Sequence, residues 1–381
     1  MKYFGIVSYN IHANFTNYGS ALQSWALSQT VNKLGKEKWS AKLVDYCPDI
    51  LANKDPLNPM KNMWDKDEKM LKECKLSLPA IKENYQKFMR FYSESFNKTT
   101  KTYNSRNFND IVKEENISGF ICGSDTIFCI DEFGFDDGYY ANYKCMKEGQ
   151  TISYAASFGD AHFNKETYEL LNERLQNFKA IALRENNMIE YVKQNTSVEV
   201  KKVLDPTLLL DEKEYEKITF PRLFPEKYIL LYSRRYNQKM YDYVDIIAKE
   251  NGWKVVEISL MASNAKRHKM FYSAGVEEFL SLVKHAEFIV TNSFHGMIFS
   301  VQFKKQFVVF SREQCSNKIE ELLNLFGLKD RLLVTGKELF VKDIDYNKVF
   351  SKIKNEREKS LDYLAKNLEI MYRKGSAKNE Q

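Results

Sequence analysis

Nothing in this chain of 381 residues approaches the roughly 18 consecutive apolar positions that a membrane-spanning helix requires. Its first residues, Met1-Lys2-Tyr3-Phe4-Gly5-Ile6-Val7, turn polar too soon for a signal peptide and read instead as the opening strand of a domain. The six cysteines (Cys47, Cys74, Cys122, Cys129, Cys145 and Cys315) form no Cys-x-x-Cys pair, and no His/Cys group has zinc spacing. Free thiols in a cytoplasmic protein, with no metal and no resident cofactor, are therefore expected. A basic tract interleaved with aromatics is also missing, so nucleic acid is not an expected partner. The net charge of +6 is mild and spread over mixed Lys/Glu faces. Such a surplus weakly favours an anionic small ligand, or peripheral contact with an anionic membrane surface. No internal repeat is visible beyond two successive α/β blocks.

What is present is a soluble globular composition, with 44% hydrophobic and 28% charged residues, in a chain long enough for two cores. Aromatics reach 14%, which suits a packed interior and a sugar-facing cleft equally. Strand and helix patterns alternate from Tyr3–Tyr9, a helix through Leu34 stopped by Gly35, and a strand at Lys42–Tyr46. From about 48 to 102 the chain changes character: Lys, Glu, Asn and Met dominate, and Ile81–Phe96 has helical period. This reads as a helical insertion lying over one face of the first domain. Strands resume at Gly119–Cys122, Thr151–Gly159, Ala180–Leu183 and Val198–Leu204. A charged, proline-bearing stretch, Asp211–Phe224, precedes a second block that opens with Tyr228–Ser233. The expected plan is an α/β protein with mostly parallel sheets. Its first domain spans 1–215 and its second 225–345, followed by a helix over 346–373 and a disordered tail at 374–381.

In such sheets ligands bind at the carboxyl ends of strands, and the polar clusters of this chain fall there: Asn14–Gly19, Gly123–Asp125, Tyr154–Phe158, Arg184-Glu185, Asp205, Arg234-Arg235 and Ser293–Gly296. In Thr291-Asn292-Ser293-Phe294-His295-Gly296 a β-branched strand turns sharply into a helix. The helix start offers unpaired N–H groups to an anion, and His295 can give or take a proton near neutral pH. Ser293 serves equally as a plain helix cap. Asp125 is either a base or a cap. Asp205, before Pro206, reads as a turn and hinge residue. His12 and His162 are loop histidines without an evident partner. Lys266-Arg267-His268-Lys269 is either a solvated loop or a flap over an anionic ligand.

Several of these motifs, in order, resemble the polysaccharide pyruvyl transferases. They are Asn17-Tyr18-Gly19-x-x-Leu22-Gln23-x-x-Ala26-Leu27, Gly123-Ser124-Asp125, Ser153-Tyr154-Ala155-Ala156-Ser157-Phe158-Gly159, Leu183-Arg184-Glu185, Val203-Leu204-Asp205-Pro206-Thr207 and the Ser293-x-His295-Gly296 step. One departure lies at Thr126-Ile127-Phe128-Cys129, where many members carry Gln-Val/Ile-Trp-Asn, and it bears on the acceptor side. The resemblance implies two Rossmann-like domains facing across a cleft in the GT-B manner, with a C-terminal helix crossing back to the first. It implies transfer of pyruvate from phosphoenolpyruvate to two hydroxyls of a sugar, as a ketal, in a bacterial surface glycan or its lipid-linked precursor. The roles expected are catalysis by His295, Arg184 and Asp125, and donor binding by Asn292, Ser293, Phe294 and Gly296; Arg234 and Arg235 join the donor side by position alone, after the first strand of the second domain, and serve equally as solvated surface arginines. Acceptor binding falls to Asn17, Tyr18, Gly19, Gln23, Ser124 and Tyr154. A nucleotide-sugar glycosyltransferase on the same fold, or a non-catalytic partner in a glycan-assembly complex, are the competing readings.

Overall fold

The computed structural model describes residues 1–58, 67–311, 316–334 and 342–377. Two six-stranded sheets, every strand pair in them parallel, form the centres of two α/β domains. The first sheet runs β2-β1-β3-β4-β5-β6, from β1 (Lys2–Val7), β2 (Trp39–Leu43), β3 (Ile117–Cys122), β4 (Thr151–Ser153), β5 (Ala180–Leu183) and β6 (Glu199–Lys202). The second runs β12-β11-β10-β7-β8-β9, from β7 (Tyr228–Tyr232), β8 (Lys254–Ile258), β9 (Lys269–Met270), β10 (Phe288–Thr291), β11 (Gln306–Phe310) and β12 (Leu332–Leu333). Strands such as β5 and β7 are buried at every position, as parallel strands covered on both faces must be.

Two strands differ from their sequence patterns. The second strand is Trp39–Leu43 rather than 42–46; its alternating burial puts Trp39, Ala41 and Leu43 inward, and Asn32 Oδ1 accepts from the Ala41 N–H. The strand expected over 151–159 ends at Ser153, because Ala155 takes a left-handed φ of 51° and turns the chain. Beyond that kink only isolated bridges join Ala156 to Asp125 and to Leu183.

The helices that position the site are α1 (Tyr18–Gly35), α2 (Glu68–Leu76), α3 (Leu78–Glu94), α4 (Val276–His285), α5 (Phe294–Gln302), α6 (Ser316–Phe326) and α7 (Tyr346–Ala377). Asn17 caps α1 by accepting from the Gly19 N–H at 3.0 Å. The insertion does not lie over the first domain alone. Its helices α2 and α3 reach across to the second domain: Ser77 Oγ donates to Leu260 O, Glu73 accepts from Ser263 N at 2.8 Å, Lys87 pairs with Glu278, and Asn84 donates to Ala274 O. The apolar faces at Ile81, Phe88 and Phe91 are buried there, which a loosely draped excursion would leave wet.

Helix α7 begins on the second domain, where Tyr346 donates to Ser300 O, and ends on the first, where Tyr363 donates to Ser153 O and Ser360 Oγ accepts from Leu204 N. It continues to Ala377, so the first residues of the stretch expected as a tail, 374–377, are helical; Gly375 weakens a helix without ending it. The remainder of that expected tail lies outside the described residues. One apolar core runs through both domains. Tyr18 of α1 stacks on Phe279 of α4 at 4.3 Å and 12°, and its hydroxyl donates to Ala274 O. The cysteines at 47, 74, 122, 129 and 145 are in no disulfide among the described residues; Cys315 lies outside them.

Candidate active site at the domain interface

The carboxyl ends of β5 and β6 in the first domain meet the start of α5 in the second. Leu183 is the last residue of β5, so Arg184 follows at the strand end, buried. Its Nε donates to Glu185 Oε1 and its Nη1 to Asp205 Oδ2, both at 3.0 Å. Asp205 Oδ1 accepts from Thr207 N and Oγ1, which tightens the turn at Pro206–Leu208. Burial alone would raise the Asp205 pKa, but His295 first and Arg184 next outweigh it and hold the carboxyl well below the usual range. From the second domain, His295 Nε2 stands 3.4 Å from Asp205 Oδ2, an ion-pair distance. Asp205 is thus more than the turn residue its Asp-Pro step implied. It is the carboxylate that joins Arg184 to His295 across the interface.

The other side of the imidazole meets Gly19. A Cβ at that position would sit 1.9 Å from His295 Nδ1, so only glycine admits the ring this close to the start of α1. Ser293 caps α5 by accepting from the Gly296 N–H at 3.2 Å, which satisfies one of the helix's free donors. Phe294 lies under the Arg184 guanidinium, 5.0 Å from ring centre to Cζ.

The cationic part of the site lies at the switch point of the second sheet, between β7 and β10. Here Asn292 holds the Arg234-Arg235 turn. Its Oδ1 accepts from Arg234 N and its Nδ2 donates to Arg235 O, both at 2.7 Å. Arg234 lies over the Phe15 ring at 4.3 Å and reaches Thr16 O of the first domain at 3.4 Å. These residues, with Tyr18, Tyr232, Tyr241, Tyr272 and the insertion residues Met70 and Asn84, line a cavity of about 330 Å³ between the domains. A second cavity of about 170 Å³ opens beyond Asp205, against Arg184, Phe294 and α6.

Of the residues expected on the acceptor side, Asn17 caps α1, Gly19 meets the imidazole and Tyr18 lines the larger cavity. Gln23, Ser124 and Tyr154 are fully buried and bonded inside the protein. Gln23 donates to Ser8 Oγ and Ser20 O and accepts from Ser124 N, Ser124 Oγ donates to Ala155 O, and Tyr154 donates to Leu204 O. Gly123 has a φ of 137°, and a Cβ there would strike Tyr154 O at 2.1 Å, so this turn demands glycine. Asp125, at a φ of 77°, has Oδ2 bonded by Ser20 Oγ at 2.6 Å and Oδ1 by Thr126 N at 2.8 Å. Ile127 and Phe128, in the stretch that departs from the family pattern, are core residues, with Phe128 stacked on Tyr140.

Two further histidines acquire partners that sequence order concealed. His12 Nε2 lies 2.7 Å from Asp45 Oδ1, and His162 Nδ1 lies 2.8 Å from Asp131 Oδ2. In the cluster 266–269, Lys266, Arg267 and Lys269 are exposed, while the His268 ring is buried between Glu257 and Asp245. Among the described residues no three His, Cys, Asp or Glu side chains gather as a metal site, and no helix is long and apolar enough to cross a membrane.

A family model described as polysaccharide pyruvyl transferase matches residues 17–314. No curated protein matches the chain in sequence. Among solved structures, one described as a UDP-N-acetylglucosamine 2-epimerase from Listeria monocytogenes aligns over 96% of this chain and 90% of its own, at 12% identity and a TM-score of 0.52. The UDP-GlcNAc 2-epimerase from Neisseria meningitidis, bound to UDP-GlcNAc, aligns over 95% and 93%, at 10% identity and a TM-score of 0.49. At 12% identity the Listeria likeness is one of fold: two facing α/β domains in the GT-B arrangement.

Proposed function

The chain belongs to the polysaccharide pyruvyl transferase family, and from that premise we propose that it transfers pyruvate from phosphoenolpyruvate to two hydroxyls of a sugar, forming a ketal on a glycan or its lipid-linked precursor. The observation that carries this reading is the meeting of His295 with Asp205 and Arg184: three of the family-like motifs, far apart in sequence, share one buried interface.

The chemistry asks for a site for two anionic groups and for a proton carrier. A proton is added to the methylene carbon of phosphoenolpyruvate, and the resulting oxocarbenium-like carbon is attacked by one sugar hydroxyl, which gives up its proton. The bond from that carbon to the phosphate oxygen breaks and phosphate leaves. A second hydroxyl closes the ketal and releases the other proton. Of the two protons the hydroxyls release, one replaces that placed on the methylene carbon and the other leaves on the phosphate, so pyruvate less water is added to the sugar.

The donor sits in the 330 Å³ cavity, where, among the described residues, Arg234 and Arg235 supply the positive charge of the lining and Asp67 its carboxylate. Asn292 positions that turn and Ser293 shapes the start of α5. Arg184, with two carboxylates on its guanidinium, positions Asp205 rather than forking onto the donor. Asp205 orients the imidazole of His295, which carries the proton. Phosphoenolpyruvate acts as co-substrate, no cofactor is required, and the reaction belongs on the cytoplasmic side, with any membrane contact peripheral.

The test is incubation with phosphoenolpyruvate and a panel of lipid-linked or nitrophenyl glycosides. A mass gain of pyruvate less water, with equimolar phosphate, is expected. Thermal stabilisation by UDP-sugars and none by phosphoenolpyruvate would overturn the reading in favour of a nucleotide-sugar transferase.

A further inference from the structure

We propose that the helical insertion is a working part of the larger cavity: Asn84 of α3 is a positioning residue that holds the Arg234 guanidinium ready for an anion through Thr16. The proposal rests on the pyruvyl-transfer reading only for the name of that anion.

Three parts of the chain build the cavity, and the insertion is one of them. Phe15, Thr16 and Tyr18 come from the first domain, and the run Tyr232–Tyr236 comes from the second. Asp67 and Met70, at the start of α2, and Asn84 of α3 come from the insertion. Lys69 also stands over the Tyr236 ring, with Nζ 4.6 Å from its centre, so α2 touches the turn that carries the arginines.

The arginines differ in what already occupies them. Arg184 is neutralised by Glu185 and Asp205. Among the described residues, Arg234 pairs with no carboxylate. Its Nη1 donates to Thr16 O at 3.4 Å, and its guanidinium lies on the Phe15 ring at 4.3 Å. A neutral carbonyl and a ring face hold it without cancelling its charge. A long side chain loses rotamer freedom when it grips a ligand, and that loss weakens binding. Phe15 and Thr16 impose the order beforehand.

The insertion in turn fixes Thr16. Asn84 is 2% exposed, and its Oδ1 accepts from Thr16 Oγ1 at 2.5 Å. Its Nδ2 donates to Ala274 O of the second domain at 2.5 Å and to the Tyr18 hydroxyl at 3.3 Å. Burying an amide is unfavourable unless it is bonded, and these bonds all lead to segments outside the insertion. One side chain therefore ties the loop beneath Arg234 to both α3 and the second domain.

The experiment is titration calorimetry of the full-length protein with phosphoenolpyruvate, with urea unfolding alongside. Thr16→Val removes the hydroxyl that Asn84 holds and keeps the carbonyl; Thr16→Ser keeps both. Thr16→Val and Asn84→Ala are expected to weaken binding about 2- to 12-fold, the loss that immobilising one long side chain anew brings. KM for phosphoenolpyruvate should rise by a similar factor with kcat little changed. Thr16→Ser should bind as the unaltered protein does. In an Arg234→Ala background, Thr16→Val and Asn84→Ala should weaken binding no further, yet each should lower the urea midpoint as before. Unchanged affinity in both variants, or the same fold loss with and without Arg234, would sink the proposal. UDP and inorganic phosphate are the second and third probes. Binding of UDP but not of phosphoenolpyruvate, with the same dependence on Asn84 and Arg234, would retire the pyruvyl-transfer reading and leave the positioning role standing. Failure of the unaltered protein to bind any of the three would overturn that role as well.

Discussion

Replacement of Gly19 by alanine probes the closest approach between the domains. The added Cβ would lie 1.9 Å from His295 Nδ1, 2.5 Å from Cγ and 2.6 Å from Cε1, so all three of its nearest neighbours belong to one imidazole. Ordinary contact begins at 3.4 Å, which leaves the ring about 1.5 Å short of room. The ring cannot retreat freely, because Asp205 is buried behind it. Either the imidazole leaves Asp205 or α1 and α5 move apart. Overpacking of this kind costs about 1–3 kcal/mol, and for a domain of this size that lowers Tm by roughly 2–12 °C. A displacement of about 1 Å at the proton carrier costs about 100-fold in kcat. Calorimetry and product formation read the two effects separately. In a His295→Ala background the obstruction is gone, so Gly19→Ala should then cost almost nothing. The cycle should show a coupling of about 1–3 kcal/mol. A Gly19→Ala protein with unchanged Tm, or with the same loss in both backgrounds, would refute the packing of His295 against α1.

Arg184→Met leaves Glu185 and Asp205 buried without their cation and should cost about 3–5 kcal/mol in urea unfolding, part of it recovered by adding Asp205→Asn. Arg234→Ala should weaken phosphoenolpyruvate binding about 10- to 100-fold by calorimetry, with Tm little changed, since the lost bonds are to a charged ligand worth about 1.5–3 kcal/mol. Asn84→Ala removes a buried amide that ties α3 to Ala274 O and should destabilise by about 1–3 kcal/mol, measured by denaturant midpoint. Burial opposes charging of His268, but Glu257 and Asp245 outweigh it and raise its pKa above 6.5. Its stabilisation is therefore complete below pH 6.5 and is lost as pH rises through the raised value. The Tm advantage over His268→Gln should shrink between pH 6 and pH 9, and an advantage that grows instead would contradict the assignment.

Most of the strands, and the order in which they alternate with helices, were legible because buried parallel strands announce themselves as short apolar runs. Ala180–Leu183 is a strand at the residues its pattern marks. The helix start at Ser293 was legible for a similar reason: capping is chemistry between neighbours in sequence. Less legible were the places where local pattern and tertiary demand part. The run 151–159 is apolar enough to continue as a strand, yet it kinks at Ala155, where the chain crosses from the sheet toward Asp125 and Leu183. Gln23, expected on the acceptor side, is fully buried, and Ser8, Ser20 and Ser124 satisfy its amide.

The sequence alone determined the two α/β domains, the membership of the family-like motifs at strand ends, and His295 as the side chain to watch, since each depends on residues within a few positions of one another. Only the tertiary structure decided what His295 touches. Asp205 is 90 positions from it and in the other domain, and a dipeptide that reads as a turn gives no sign of the carboxylate that its burial makes valuable. The gathering of Arg234 and Arg235 in the lining of the larger cavity was likewise invisible in a near-even composition. It comes from how the domains meet, and burial then weakens the solvent screening of that charge.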